Sequence, residues 1–423
     1  MFQDIIQKKR DNLELTKADI DYFISEYTKN SIPDYQASAL LMAIYLNGMS
    51  NQEISNLTLA MANSGETYNY PANLNVVDKH SSGGVGDKIT LVSLPIAAAC
   101  GVNIAKISGR GLGFTGGTAD KLRAFNMNLS LTEQDFIDKI NNNGCAIMES
   151  SINIAPADKK LYSLRDATST VDSLPLIAAS IMSKKLATGA PNLVLDVKFG
   201  SGALMKTAEK ATQLAQQMID IAKFSGRNAV ALITNMDEPL GTHVGNNLEV
   251  IEAINTLNGN GDENFTQLSV EIATYMVMLG LKIDHDSALQ LAQTALKNGS
   301  ALNKLKQIIQ AQSGVFVPDA IKTHSSTTHI LAQTSGFVTH INAQDIGNAS
   351  MHLGAGRNTI DDDIDLTVGV LIHAKVGTSV NCGDKLATLY GNPGDETIRL
   401  TQNAFTVGNT PPKKIPMIYK VLT

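Results

Sequence analysis

The sequence predicts an α/β protein joined to an all-α part: a helical lobe, a larger mixed or parallel-sheet α/β lobe, a small C-terminal α+β module, and a ligand cleft between the lobes. Three observations lead there. Residues 1–65 carry helical periodicity throughout; from 74 onward, apolar runs of strand length alternate with helical segments; beyond about 328 the composition shifts to short segments rich in Val, Thr and Gly.

The elements follow in order. Thr16 is placed to cap a helix over 17–29, Pro33 starts one over 34–47, and Asn51 opens one ending at Ala62. Leu40, Leu41, Ile44 and Tyr45 form an apolar stripe on the second of these, expected to be too exposed for so small a lobe to cover. Gly65 and Pro71 punctuate the crossing to a first strand at 74–77. Strands at 102–107 and 145–148 flank a helix at 132–142. Two successive helices over 156–188 then break the alternation, so this pair is expected to pack back on the first lobe. Strands resume at 192–198 and 229–234 around a helix at 208–224, and four further helices cover 247–257, 265–279, 284–298 and 301–312. The domains read as 1–65 completed by 156–189; 70–155 with 190–328; and 329–423.

A chain of 423 residues affords two or three domains with a large core. Its net charge of −6 argues against wrapping nucleic acid or an anionic membrane, so an anion must be caught by a local positive site. The three cysteines, Cys100, Cys145 and Cys382, are widely spaced in apolar surroundings and read as reduced core residues. They offer no metal-ligand spacing, and no catalytic metal or redox cofactor is implied. The longest apolar run, 91–100, is too short to span a bilayer, and the start at 1–16 reads as an amphipathic helix; the protein is expected in the cytoplasm.

Two glycine-rich loops carry the chemistry: SSGGVGDK at 81–88 and SGRGLGFTGG at 108–117. Each follows an apolar run of strand type. At such a corner unpaired backbone N–H groups, bared by glycine, can approach an anion. Ser81, Ser82, Thr90, Ser108, Thr115 and Thr118 add hydroxyls, and Lys79, His80, Lys88, Lys106, Arg110 and Lys121 lie nearby. Neither loop is GxxxxGK[ST], and neither is a dinucleotide fingerprint. Tight βα corners alone account for one such loop; two together, with this density of donors, point to phosphate. On the helix at 173–187, Ser180 and Lys184 are four apart and share a face, with Arg165 on the preceding helix.

These runs, KHSSGGVGD followed by SGRGLGFTGGTADKL, resemble the thymidine and pyrimidine-nucleoside phosphorylase family, closest to its broad-specificity branch. The resemblance extends through 32–50, 155–189, 193–206, 244–254 and LGAGR at 353–357. It implies phosphorolysis of pyrimidine nucleosides (uridine, thymidine, deoxyuridine) to a free base and ribose or deoxyribose 1-phosphate, by a homodimer, with nucleoside and phosphate as partners. By this resemblance His80, Arg165, Ser180 and Lys184 hold the pyrimidine, with His80, Arg165 and Lys184 catalytic, while Lys79, Ser81, Thr90, Lys106, Ser108 and Thr118 bind phosphate. Lys106 stands where thymidine-selective relatives have methionine. A potassium site maps to Gly86, Lys88, Leu240, His243 and Glu252; Lys88 and His243 replace threonine and alanine there, and a lysine ammonium would repel the ion or substitute for it. Three departures stand out: Phe114 for the usual histidine, Arg123 for glutamate, and no proline-glycine pair around Phe125–Asn126. Two rival readings are a phosphoribosyltransferase of related architecture, which needs acidic residues for magnesium-diphosphate, and a non-catalytic nucleoside or phosphate sensor.

Overall fold

The computed structural model describes residues 1–423 except 112, 115, 152, 358, 360, 361 and 414, together with the side chain of residue 72. Thr115, one of the hydroxyls named above, thus lies outside the described residues. Helices α1 (Phe2–Arg10), α2 (Lys17–Thr28), α3 (Asp34–Asn47) and α4 (Asn51–Ala62) form the amino-terminal bundle. Thr16 and Ser50 cap α2 and α4 in reciprocal capping boxes with Asp19 and Glu53. Glu53 also binds Lys9 Nζ at 2.9 Å in the bundle interior, so one carboxylate both starts α4 and fastens α1 to it.

The chain then alternates: β1 (Val77–Ser81), α5 (Ile89–Ala99), β2 (Ile104–Ser108), α6 (Thr118–Leu122), α7 (Glu133–Asn143), β3 (Cys145–Glu149), α8 (Pro156–Ala167), α9 (Leu174–Ala187), β4 (Asn192–Phe199), α10 (Ala208–Phe224), β5 (Asn228–Asn235). After β6 (His243–Val244) come α11 (Asn246–Leu257), α12 (Glu263–Leu281), α13 (His285–Lys297) and α14 (Ser300–Ala311). The C-terminal part holds β7 (Thr327–Leu331), β8 (Gly336–Ile341), α15 (Ala343–Ser350), β9 (Gly369–Ile372), β10 (Ser379–Val380), β11 (Lys385–Tyr390), α16 (Asp395–Ala404), β12 (Phe405–Gly408) and β13 (Ile418–Leu422). The central sheet has the order β13-β5-β4-β1-β2-β3, all parallel except β13. Two small antiparallel sheets, β10-β8-β12 and β6-β9-β11-β7, make up the rest.

Both faces of the central sheet are covered, which is why its strands read as near-continuous apolar runs. Leu193, Leu195 and Val197 of β4 belong to the core shared with α1–α4 and α8–α10, whereas Val194 belongs to the core shared with α5, α12–α14 and the C-terminal sheets. Helices α8 and α9 pack on α2 and α4, as their break in the alternation predicts. No helix among the described residues is long and apolar enough to cross a membrane.

Four details differ from expectation. The first strand is 77–81 rather than 74–77, so the Lys79-His80-Ser81 run lies in the strand itself; polar residues are tolerated there because Asp78, Asp196 and Lys185 neutralise them. The stripe Leu40, Leu41 and Ile44 is buried within the bundle, while Tyr35, Met42 and Leu46 leave another face of α3 exposed together with Tyr45. Cys382 is exposed in the turn between β10 and β11, and Cys100 is half-buried, so of the three only Cys145 is a core residue. Strand β13, assigned on sequence to the C-terminal module, pairs with β5 in the central sheet.

Candidate active site

Strands β1 and β2 end side by side, and the loops that follow them line a cavity of about 340 Å³ whose opposite wall is α9. Strand alternation splits β1. Asp78 and His80 face the helical side, while Lys79 and Ser81 face the other, where Ser81 is registered against Asp196. In the first loop Ser82 N–H donates to Asp196 O at 2.9 Å, and Gly86 adopts φ +75° with its Cα so close to the 240–243 segment that a Cβ would lie 2.7 Å from Leu240 O. A side chain at 86 is therefore excluded on both backbone and steric grounds. Ser81 Oγ donates to Asp87 Oδ2 at 2.5 Å and accepts from Gly83 N–H at 3.1 Å. Lys121 Nζ donates to Asp87 O and Gly116 O, at 3.0 and 3.1 Å, and pairs with Glu249, so it ties the two loops together rather than entering the cavity.

Of the residues selected on sequence, His80, Ser81, Thr90, Lys106, Ser108, Thr118 and Lys184 all line this cavity. Lys79, Arg165 and Ser180 do not. Lys79 is fully buried beneath the first loop, 3.9 Å from Asp196, and its Nζ has no hydrogen-bond partner among the described residues. The Arg165 guanidinium is spent on three backbone carbonyls of the turn into α9: Thr170 at 3.3 Å, Val171 at 2.5 Å and Leu176 at 3.1 Å. Ser180 is 7 % exposed and offers its carbonyl, at 3.4 Å, to Lys184. Lys184 itself pairs with buried Asp158 and keeps 42 % of its side chain exposed.

The potassium residues come together, but around an ammonium: Lys88 Nζ donates to Leu240 O and His243 O and pairs with Glu252. Of the departures, Phe114 packs its ring against α15 near Gly347, Arg123 points to solvent, and Asn126 makes the left-handed turn at φ 52°.

Sequence reasoning missed two charged residues on the cavity wall. Lys185 donates to Asp78 Oδ2 at 2.8 Å and to Ile107 O at 3.4 Å, bridging α9 to β1. The signal was available: α9 is apolar nearly all round, so a lysine beside Met182 and Leu186 must be buried and must find an anion. Asp87 is the other, hidden in the GDK corner.

Positive charge dominates the electrostatics. Burial, followed by the Lys185, Lys106, Lys79 and Lys184 charges, drives the His80 imidazole well below its ordinary value, so it is neutral, and its Nε2 is buried without a partner among the described residues. Burial and then Lys185 push Lys106 down to about 7. Burial acts to raise Asp87, but Lys79, Lys198 and the Ser81 hydroxyl outweigh it and hold this carboxyl below the usual range. A larger cavity of about 680 Å³ lies between the C-terminal sheets and residues 413 and 415–418; of its acidic groups Glu238 pairs with Lys375, Asp262 caps α12 and Asp237 accepts the Ser201 N–H.

A helical bundle set against an α/β unit, with two glycine loops opposing a cationic helix face, is the two-domain arrangement that the glycosyl transferase family models describe. Models of the glycosyl transferase family match the helical bundle domain over 3–65 and the a/b domain over 73–302, and the pyrimidine nucleoside phosphorylase C-terminal domain matches 337–407. The chain belongs to this glycosyl transferase family, in its pyrimidine-nucleoside phosphorylase branch. It is 46% identical to the pyrimidine-nucleoside phosphorylase of Staphylococcus haemolyticus over 99% of both chains, and 49% identical to that of Bacillus subtilis over 92% of both. Among solved structures, anthranilate phosphoribosyltransferase from Thermus thermophilus shares the fold, with TM-score 0.60 at 17% identity over 73% of this chain and 99% of that one.

Proposed function

We propose that this chain catalyses reversible phosphorolysis of pyrimidine nucleosides, uridine, thymidine and deoxyuridine among them, to the free base and (deoxy)ribose 1-phosphate. The observation that carries the reading is one cavity with hydroxyls of Ser81, Ser108 and Thr118 and the Lys106 ammonium on one wall, and Lys184 on the other.

Phosphate is already an anion and needs holding rather than deprotonating. Held by the Ser108 and Thr118 hydroxyls and by loop N–H groups, with Ser81 able to join only by turning its hydroxyl away from Asp87, it attacks the anomeric carbon from the face opposite the base, so configuration inverts. Negative charge then develops on the departing pyrimidine, and fixed donors aimed there lower the barrier. Lys184 supplies a cation, and neutral His80 offers a ring nitrogen to the base edge. Lys79 acts from below through its charge. Arg165, held by three carbonyls, takes part by fixing the turn that presents α9; a direct contact with the base requires it to release one of them. Phosphate is a co-substrate, and the Lys88 ammonium stands in for a potassium ion. The exposed face of α3 supports a homodimer built through the bundle.

Phosphate-dependent cleavage of uridine, followed by ultraviolet absorbance, tests the reading. Cleavage that needs phosphate is expected. Turnover only with a magnesium-diphosphate sugar donor would establish the phosphoribosyltransferase instead, and saturable nucleoside binding without turnover would establish the sensor; the full-length relatives favour neither.

A further inference from the structure

Between β2 and α6 the described backbone makes one bridge, from Gly113 to Arg357, although this loop carries Ser108 and Arg110 into the cavity. Its shape is imposed from outside. Gly113 N–H donates to Arg357 O at 2.9 Å, and Gly111 N–H donates to Asp120 Oδ2 at 2.7 Å. Asp120, two residues past Thr118, is gripped by the Arg357 fork: Nη1 donates to Oδ2 at 2.9 Å and Nη2 to Oδ1 at 2.8 Å. The two side chains are only 4 and 2 % exposed. The same guanidinium donates to Gly111 O at 3.3 Å and to Asp362 O at 3.0 Å. Gly117 closes the unit, packed so tightly that a Cβ there would lie 2.1 Å from Gly111 N.

Gly111, Gly117 and the Asp120–Arg357 pair therefore form one body, with Ser108 at one end and Thr118 at the other. Arg357 comes from the segment after α15 and lines no part of the cavity. A bidentate fork fixes both the distance and the plane of a carboxylate, which a point charge does not. We propose that Arg357 is a positioning residue for phosphate: it orients Asp120 and, through Gly111, sets the separation of the Ser108 and Thr118 hydroxyls. The proposal rests on the assignment of those hydroxyls to phosphate.

The test is steady-state kinetics on the full chain, varying phosphate and uridine separately, for Arg357→Lys, Asp120→Asn, their combination, and Thr118→Ala, with melting temperatures alongside. Arg357→Lys keeps the charge and loses the fork. It and Asp120→Asn are each expected to raise the phosphate KM roughly tenfold while the uridine KM changes by less than about twofold, and the combination is expected to be no worse than the worse single variant. An unchanged phosphate KM, or equal changes in both constants, would overturn the proposal and leave the pair a staple of the fold; so would failure of both single variants to fold. Thr118→Ala separates the layers. If it leaves the phosphate KM unchanged, the phosphate assignment itself falls; if it raises that constant and the Arg357 and Asp120 variants do not, only the positioning role falls.

Discussion

Lys88 Nζ lies 2.5 Å from Glu252 Oε2 in a fully buried pair, and the same ammonium donates to Leu240 O at 2.7 Å and His243 O at 2.9 Å. Glu252 in turn accepts the N–H groups of Thr242 and His243, at 2.8 and 3.0 Å. A cation is thus built into the chain where the family resemblance implies a bound one. Exchanging sodium for potassium is expected to leave activity unchanged; a roughly tenfold rise would show that an ion still takes part. Lys88→Thr leaves Glu252 uncompensated, at a cost of about 3–5 kcal/mol. That loss is expected to be recovered in part by potassium, seen as a melting temperature that climbs with its concentration.

The two walls of the cavity should fail differently. Lys184→Ala removes a charged donor to a group whose charge exists mainly in the transition state, so turnover should fall roughly a hundredfold, ~3 kcal/mol. Ser108→Ala removes a neutral donor to an anion bound throughout, so the phosphate KM should rise about tenfold, ~1.4 kcal/mol. Were Lys184→Ala to change only the phosphate constant, Lys184 would belong to the other wall.

Arg165→Ala strips donors from the carbonyls of Thr170, Val171 and Leu176. A fall in melting temperature is expected together with a fall in kcat, since each lost bond is worth ~1 kcal/mol. Calorimetry on the variant checks this; a loss of kcat at unchanged melting temperature would indicate direct contact with the base.

Lys106 gives the phosphate side a pH dependence. Burial lowers its value to about 7, so the free enzyme carries the charge below that pH and loses it above. The phosphate KM should therefore rise as pH climbs through about 7, and Lys106→Met should flatten this limb while weakening phosphate at low pH. The stability effect runs the other way. Between the folded value and the ordinary one the unfolded chain binds a proton that the folded chain does not, so this group's contribution improves as pH rises through that window. A wild-type profile identical to that of Lys106→Met would remove the lysine from the phosphate site.

The exposed face of α3 predicts its own outcome. Tyr35 and Leu46 are 75 and 72 % exposed, one near each end of the helix. Light scattering at micromolar concentration should report a dimer, and Leu46→Glu with Met42→Glu should shift it to monomer; a monomeric wild type would refute the interface.

Much of the fold was legible because periodicity is a local property: Thr16, Pro33 and Asn51 mark the starts of three helices, and α10 has the bounds its pattern predicts. The first strand was misplaced because Asp78, Lys79 and His80 look like loop residues until their neighbours in β4 and α9 are known. The cavity wall was legible wherever a hydroxyl or lysine lay in or beside a glycine-rich loop, as Ser81, Lys106, Ser108 and Thr118 do. Arg165 and Lys79 show the limit. Sequence placed Arg165 on its helix and Lys79 next to, but not in, its strand, and which carbonyl or carboxylate each faces depends on tertiary packing. Lys185 was overlooked because a helix-end lysine is usually solvated, and only the apolar girth of α9 says otherwise.

Strand β13 returns to the central sheet after the C-terminal sheets have been built, and Val421 registers against Leu232. The module between α14 and β13 is therefore tied at both ends of its chain, and β6, from before α11, adds a third tie by pairing with β9. Three separated ties leave no single hinge line, so the module sits like a keystone rather than a flap and Arg357 is held against the phosphate loop. Cutting any one tie would give it an axis to turn about, and the loop held by Arg357 would be the first part of the cavity to register the change.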